Sequence, residues 1–393
     1  MTRLRRLIAT ALVDSFGLSL GWTVFSLQVV RDHGLTGLGL CNAAMLCGVA
    51  LSAPAAARLS ARLDGRALLR LTAATEACLR FGTFALLLAG APLVTVAVAV
   101  AASNVVAWTG YAGMRAEVAA ADPRGAAMTW YLVAVAAIEA AGTATAALLP
   151  AGPSGRLPGW LLALVVGCYG ASVLPTWLVA RGAVVTRTVG RGRALARGGR
   201  RRSANGLLVS GGLVMLLGSG PTLLAVGLAA ELHGTRWVAG SALAFALGSL
   251  LAPVAVARLE RRAVPTSVAW PALGVGMVVG WTFAPSHPAA LLAAQLLSGM
   301  CMSALEGDMD ARVAARDASP RGVTAGLASA AAIRAFGSAA AVAIAPRVIS
   351  EAGVGALGVA LATALAAAIV VTLGLHRSQW RSLFGPGPAA HPG

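Results

Sequence analysis

Met114-Arg-Ala-Glu-Val-Ala-Ala-Ala-Asp122-Pro123-Arg124-Gly125 and Met309-Asp-Ala-Arg-Val-Ala-Ala-Arg-Asp317-Ala-Ser-Pro320-Arg321-Gly322 nearly repeat one another, 195 residues apart. Alanine matches mean little in a chain this rich in alanine, but the shared Met, Asp and Pro-Arg-Gly carry weight. Three further pairs keep a similar offset. Ala53-Pro54 with Arg58-Leu59 returns, one residue longer, as Ala252-Pro253 with Arg258-Leu259. His33-Gly34 returns as His233-Gly234, and Ile138-Glu139-Ala-Ala-Gly142 as Ile333-Arg334-Ala-Phe-Gly337. The chain therefore reads as a duplication.

Between these anchors the chain is apolar. Of 393 residues, 58% are hydrophobic and 11% charged, with a mean hydropathy of +0.79. A soluble domain carries about a quarter charged residues, whereas a membrane span needs about 20 mostly apolar ones. Twelve such segments are expected near 7–30, 36–57, 68–90, 93–114, 126–149, 158–180, 205–230, 236–257, 265–285, 288–308, 322–346 and 353–376. The fold expected is an all-α integral membrane protein whose twelve transmembrane helices form two pseudo-symmetric six-helix bundles. Its parts are an N-terminal bundle (1–180), a basic linker (181–204), a C-terminal bundle (205–376) and a tail (377–393) expected to be disordered. The first apolar stretch is too long for a signal peptide and leads straight into another span, so it reads as an uncleaved helix.

The net charge of +17 comes from 31 basic residues, all of them Arg. Their placement excludes nucleic-acid binding. With the amino terminus inside, only Arg31, Arg156, Arg236 and Arg347 lie outside, and Arg80 and Arg334 lie within spans. The remaining 25 fall on the cytoplasmic side, as the positive-inside rule requires. Both termini are thus expected in the cytoplasm of a bacterium, with the protein multi-pass in its cytoplasmic membrane. Eight arginines and no acid occupy 181–203, which makes that linker a topology anchor that attracts anionic lipid headgroups.

Five cysteines lie in apolar segments with no metal or disulfide spacing, and read as small packing residues. The five histidines lie at span ends, in loops or in the tail. No phosphate loop, nucleophile motif or metal cluster is found, so no enzyme activity, cofactor or ATP coupling is expected.

Two six-span halves joined by a basic loop resemble the major facilitator superfamily of secondary transporters over residues 7–376. That family's signature between spans 2 and 3 is Gly-x-Leu-Ala-Asp-Arg-x-x-Gly-Arg. Here 57–66 reads Ala-Arg-Leu-Ser-Ala-Arg-Leu-Asp-Gly-Arg. Leu59, Arg62, Gly65 and Arg66 fit, Ala57 and Ala61 replace the Gly and Asp, and Asp64 can supply the missing charge. The resemblance implies a cytoplasmic charge latch. Its candidates are Arg62, Asp64, Arg66 and Glu117 in the first half, and Arg258, Asp308 and Asp310 in the second. A solvated set of loop charges is the competing reading. The span 4 arginine and the span 5 glycine motif of proton-coupled drug antiporters are absent.

Charges within spans are costly, at least about 2.5–3.5 kcal/mol each at the bilayer centre, and so mark interior or water-facing sites. Asp14, Glu139 and Arg334 are the coupling candidates. Glu76 and Arg80, four apart, form an intrahelical pair. Polar stripes at helical spacing mark candidates for a substrate pathway: Asp14 and Gln28 in span 1, Asn104, Trp108 and Tyr111 in span 4, Gln295, Met302 and Glu306 in span 10. Small residues on such faces also serve helix packing.

The function expected is a secondary active transporter that moves a small organic solute by alternating access, in the export direction. The expected partners are that solute, protons and membrane lipids, with the chain a monomer. A non-transporting membrane scaffold and an integral-membrane transferase are the alternatives.

Overall fold

The computed structural model describes residues 3–121, 126–152, 156–185, 201–316 and 320–384. Among them no strand occurs. Lipid offers backbone groups no hydrogen-bonding partner, so apolar segments of this length satisfy themselves as helices. The first half comprises α1 (Arg3–Ser60), α2 (Gly65–Leu88), α3 (Leu93–Ala121), α4 (Ala126–Ala147), α5 (Gly159–Ala171) and α6 (Leu174–Val179). The second comprises α7 (Arg201–Gly218), α8 (Gly220–Leu223), α9 (Ala225–His233), α10 (Arg236–Arg261), α11 (Thr266–Val279), α12 (Pro288–Arg316) and α13 (Pro320–Phe384). Among the described residues, seven helices are long and apolar enough to cross a membrane, by length and composition.

Two of these are folded back on themselves. A straight helix of α1's length would reach about 87 Å, far beyond a bilayer core. Gly34 breaks α1 at φ 66°, ψ −172°, and Gly353 breaks α13 at φ 83°, ψ 161°. Such backbone is open to glycine and strained for other residues. Gly234, the repeat partner of Gly34, adopts φ 94°, ψ 158° between α9 and α10. These turns share one end of the bundle, called here the hairpin end. The amino terminus and the turns at 60–65 and 261–266 share the other, the terminal end.

Two expected spans are interrupted. The segment expected as 205–230 breaks into α7, α8 and α9 around Pro221, which has no N–H to give the hydrogen-bond ladder. The segment expected as 158–180 breaks at Ser172–Val173, just before Pro175. The Asp122-Pro123-Arg124-Gly125 repeat core, most of the basic linker and residues 385–393 lie outside the described residues.

The duplication is visible in contacts as well as in letters. A Cβ on Gly142 of α4 would run into the backbone oxygen of Phe16 on α1, and one on Gly337 of α13 would run into that of Gly212 on α7. The same crossing is thus built twice, backbone against backbone. Pro54 and Pro253, another repeated pair, each lie inside a helix.

Three hydrophobic clusters hold the bundle. One spans both halves at the hairpin end, joining Leu38, Cys41 and Phe25 to Leu224, Leu228 and Val342. There Asn42 Nδ2 donates to the Leu223 carbonyl at 2.8 Å, and Gly39 lies against the Val342 carbonyl. The other two clusters approach the terminal end and each stays within one half. One gathers Leu7, Leu69, Met114 and Tyr131, the other Met215, Trp270, Met277 and Met309. The halves are therefore fused at the hairpin end and packed separately toward the terminal end.

Substituting Gly142 or Gly337 with Leu should lower the thermal unfolding midpoint of the purified protein. Overpacking at a tight contact costs about 1–3 kcal/mol. Gly82→Ala in α2, where a Cβ meets nothing within 4 Å, should leave the midpoint unchanged or raise it. Equal midpoints for all three variants would contradict the crossing geometry.

Candidate functional site

In the first half the charges converge on Arg80, which is 1% exposed. Its guanidinium reaches Asp14 Oδ1 on α1 at 2.9 Å and also pairs with Glu76, one turn back on α2. It donates to the Tyr169 carbonyl at 2.9 Å and to Ser172 Oγ at 2.7 Å, both from the chain of α5. It also lies 5.1 Å from the centroid of the Tyr169 ring. Ser172 Oγ in turn donates to Asp14 Oδ1 at 3.3 Å. The expected intrahelical pair is thus one side of a knot that ties α1, α2 and α5. Two carboxylates share one guanidinium, so the knot holds one more acid than base. Glu76 is buried, whereas the Asp14 side chain keeps 27% of its surface open. Asp14 is therefore the more exposed of the two acids.

Glu139 on α4 adjoins this knot. It stands near Ser15, Asp14 and Tyr111. Tyr111 continues a row of rings. Trp108, 42% exposed, meets it edge-on at 5.4 Å, and Tyr131 stacks on it at 6.1 Å. Arg115 lies 5.8 Å from the Tyr111 centroid. Asn104, one turn before Trp108, donates to the Val100 carbonyl at 2.9 Å. Gln28 lies well away, at the hairpin end, donating to Asp32 at 2.6 Å and accepting from Arg31 at 3.1 Å.

In the second half Arg334 of α13 makes a two-pronged pair with Asp310 of α12, at 2.6 and 3.3 Å. Half-buried Glu306, one turn before Asp310, lies near the same guanidinium. Again two carboxylates attend one arginine. The repeat equates Arg115 with Asp310 and Glu139 with Arg334, so each half carries the other's charges at these two positions. The pair is closed in the second half, and no ion pair joins Arg115 to Glu139 in the first. Met302 packs against the second-half cluster. Gln295 is 1% exposed, and its amide nitrogen has no hydrogen-bond partner.

The latch candidates are placed within halves. Glu117 is fully buried and accepts from the Val184 and Val185 N–H groups at 3.1 and 2.9 Å and from Arg3. Gly65 lies beside its carboxylate, and the Gly65 N–H donates to the Val185 carbonyl at 2.9 Å. Asp64 caps α2, accepting from the Ala67 N–H at 2.7 Å, while Arg62 and Arg66 are exposed. Asp308 accepts from Trp270 Nε1 and Arg312 Nε, both at 2.7 Å. Arg258 is exposed near the end of α10. Sequence reasoning missed Ser172, Tyr169, Arg3 and Trp270 as partners. Glu117 and Asp308 read in the sequence as latch charges, and nothing local points to their burial or to their partners.

No protein-family model matches the sequence, and no curated protein does. Solved structures do match. The chain superposes on the nucleoside transporter NupG with a TM-score of 0.68 and 12% identity, covering 96% of this chain and 99% of that one. A D-xylose-proton symporter gives 0.64 at 16%, covering 92% and 96%. The protein has a major facilitator fold. A bacterial homologue of the iron transporter ferroportin matches in two states. Its inward-facing structure gives 0.65 at 15% identity over 94% and 98% of the two chains, and its outward-facing structure gives 0.58 at 18% over 95% and 99%.

Arg80→Gln should destabilise the protein by about 3–5 kcal/mol, the usual cost of stranding a buried charge by removing its partner. Glu76→Gln, which leaves Arg80 with Asp14, should cost less. Thermal unfolding of the two variants in the same detergent checks the order, and the reverse order would contradict the shared guanidinium.

Proposed function

We propose that this protein is a secondary transporter that moves a small organic solute out of the cell by alternating access. The observation that carries this reading is the asymmetry of its packing. Two matched halves share a hydrophobic cluster at the hairpin end and keep separate clusters toward the terminal end. That is one of the two states a rocking bundle must visit. The arginine distribution assigns the terminal end to the cytoplasm, so the pathway opens inward in this state.

Within this reading the residues divide by position. Asn104, Trp108, Tyr111 and Met302 are the residues that would line the pathway, and the paired rings of Trp108 and Tyr111 suit an amphiphilic solute. Glu306 lies at the inner part of the same pathway. Gln295, buried with an unpartnered amide, is the polar group that opening of the hairpin end would present. Gln28 lies at that outer end. Asp14 and Glu139 are the proton carriers. The knot around Arg80 has a surplus acid, and a proton on Asp14 would leave Glu76 and Arg80 as a neutral pair. Arg334 holds the equivalent place in the second half, poised by Asp310 and Glu306. Glu117 with Arg62, Asp64 and Arg66, and Asp308 with Asp310, are the charges toward the inner mouth. They shape the closed inner gate. The chain acts as a monomer in the cytoplasmic membrane.

The test uses reconstituted protein and inside-out vesicles with a panel of fluorescent amphiphiles and an imposed pH gradient. At least one compound should accumulate with the gradient, and Asp14→Asn should abolish the response to the gradient. Full gradient-driven transport by Asp14→Asn would remove Asp14 from coupling. Cysteines placed at Trp108 and Gln295, in a background stripped of native cysteines, report the pathway. The first should react from the terminal side and the second from the hairpin side. A panel that does not move, with both cysteines unreactive from either side, would mean a dry scaffold.

A further inference from the structure

The second half holds a groove unrelated to the pathway. α10 packs on α12 and, across the halves, on α4, while α11 packs on α12, α13 and α7. The two consecutive helices diverge from the turn that joins them, leaving a cavity of about 570 Å³ between them at the terminal end. Met300 of α12 and Leu273 of α11 line its interior. Leu251 and Val254 line its α10 side and are nearly half exposed, at 45% and 47%. Arg258 and Arg262 also line it.

Arg258 lies in the last turn of α10, and Arg262, four residues on, caps that helix, its N–H donating to the Arg258 carbonyl at 3.2 Å. Both are exposed, and neither forms an ion pair. Their neighbour Arg261 is used differently, folding back so that Nε donates to the Ala257 carbonyl at 3.2 Å. Glu260, two positions from each, forms an ion pair with neither. From Leu251 to Arg258 is about 10 Å along the helix axis. The groove thus presents two free guanidinium groups at the membrane boundary. An apolar channel runs from them toward the bilayer interior.

We propose that this groove binds an anionic phospholipid, its phosphate between Arg258 and Arg262 and one acyl chain along Leu251, Val254 and Met300. Guanidinium groups recognise phosphate with charge-assisted, often paired hydrogen bonds. The apolar channel offers nothing to an inorganic anion and much to a chain. Arg258 then serves a lipid on the outer face of the bundle, and the site is independent of whether the protein transports.

The test measures lipid carried by the full-length protein in native mass spectrometry, after extraction from vesicles of equal parts phosphatidylglycerol and phosphatidylcholine. The wild type should retain phosphatidylglycerol in preference to phosphatidylcholine. The double variant Arg258→Gln/Arg262→Gln should lose that preference by about tenfold or more, from roughly fivefold per basic residue at an anionic surface. Arg258→Lys/Arg262→Lys should keep most of it, which separates recognition of charge from damage to the fold. Ala272→Trp, which fills the groove and leaves both arginines, should lose it as well. Retention by the Gln pair equal to wild type would overturn the site. So would retention by Ala272→Trp, which would reduce the arginines to a surface patch. Displacement of the lipid by soluble glycerol 3-phosphate at comparable concentration would make this a free-phosphate site and would equally overturn the proposal.

Discussion

A helix in lipid gains little by hiding one apolar side chain against another, because the acyl chains around it are as apolar as leucine. Bundles there hold together by backbone close approach and by buried polar contacts. This chain is composed accordingly. Its 47 glycines and abundant alanines let α4 meet α1 at Gly142 and let α13 meet α7 at Gly337. They also let α10 meet α12 where Gly248 and Gly299 face the carbonyls of Leu296 and Phe245. Bulky residues at these points would force the helices apart, and every charge placed between helices would lose its partner.

The second means of cohesion depends on the first. Arg80 can be almost wholly buried only because Gly17 and Gly21 bring α1 against Ser172 and Tyr169. That approach sets the Tyr169 carbonyl, Ser172, Glu76 and Asp14 around one guanidinium. Its charge is met by two acids and two neutral oxygens, so the site avoids the cost of an unpaired ion in a low dielectric. The second half uses a looser version, Arg334 with Asp310 and nearby Glu306, closer to the terminal end. The duplication conserved the crossing and changed the chemistry, which the swapped positions 115/310 and 139/334 show most clearly.

What the sequence revealed follows from range. Repeats, apolar segments and the i, i+4 pair of Glu76 and Arg80 are local patterns, and each corresponds to a feature of the fold. The glycine turns at 34 and 234 share a backbone conformation because their sequence context is shared. Partners distant in the chain left no local signal. Asp14 and Arg80 are 66 positions apart, and Glu117 is held by Arg3 and by two backbone N–H groups beyond α6, whose identity no side-chain pattern encodes. Asp64 reads as a latch charge by its motif, yet in this state its carboxylate caps a helix, as its place before Gly65 and three residues before an N–H also allows. Span 7 reads as one helix by hydropathy, and Pro221 between small residues is the local cue that it breaks.

The distribution of these contacts decides which surface can move. Among the described residues, the ion pairs that cross between helices stay inside one half: Arg80 with Asp14, Arg3 with Glu117, Arg334 with Asp310. Each binds helices of its own bundle and adds stiffness there. Between the halves lie apolar contacts, the close approach at Gly39 and the hydrogen bond from Asn42. Such contacts can part without stranding a charge, and water entering from the hairpin side would rehydrate Asn42 and the Leu223 carbonyl. Parting a half internally would expose Arg80 or Glu117 without a partner. The softest surface of the molecule is therefore the one between its two copies.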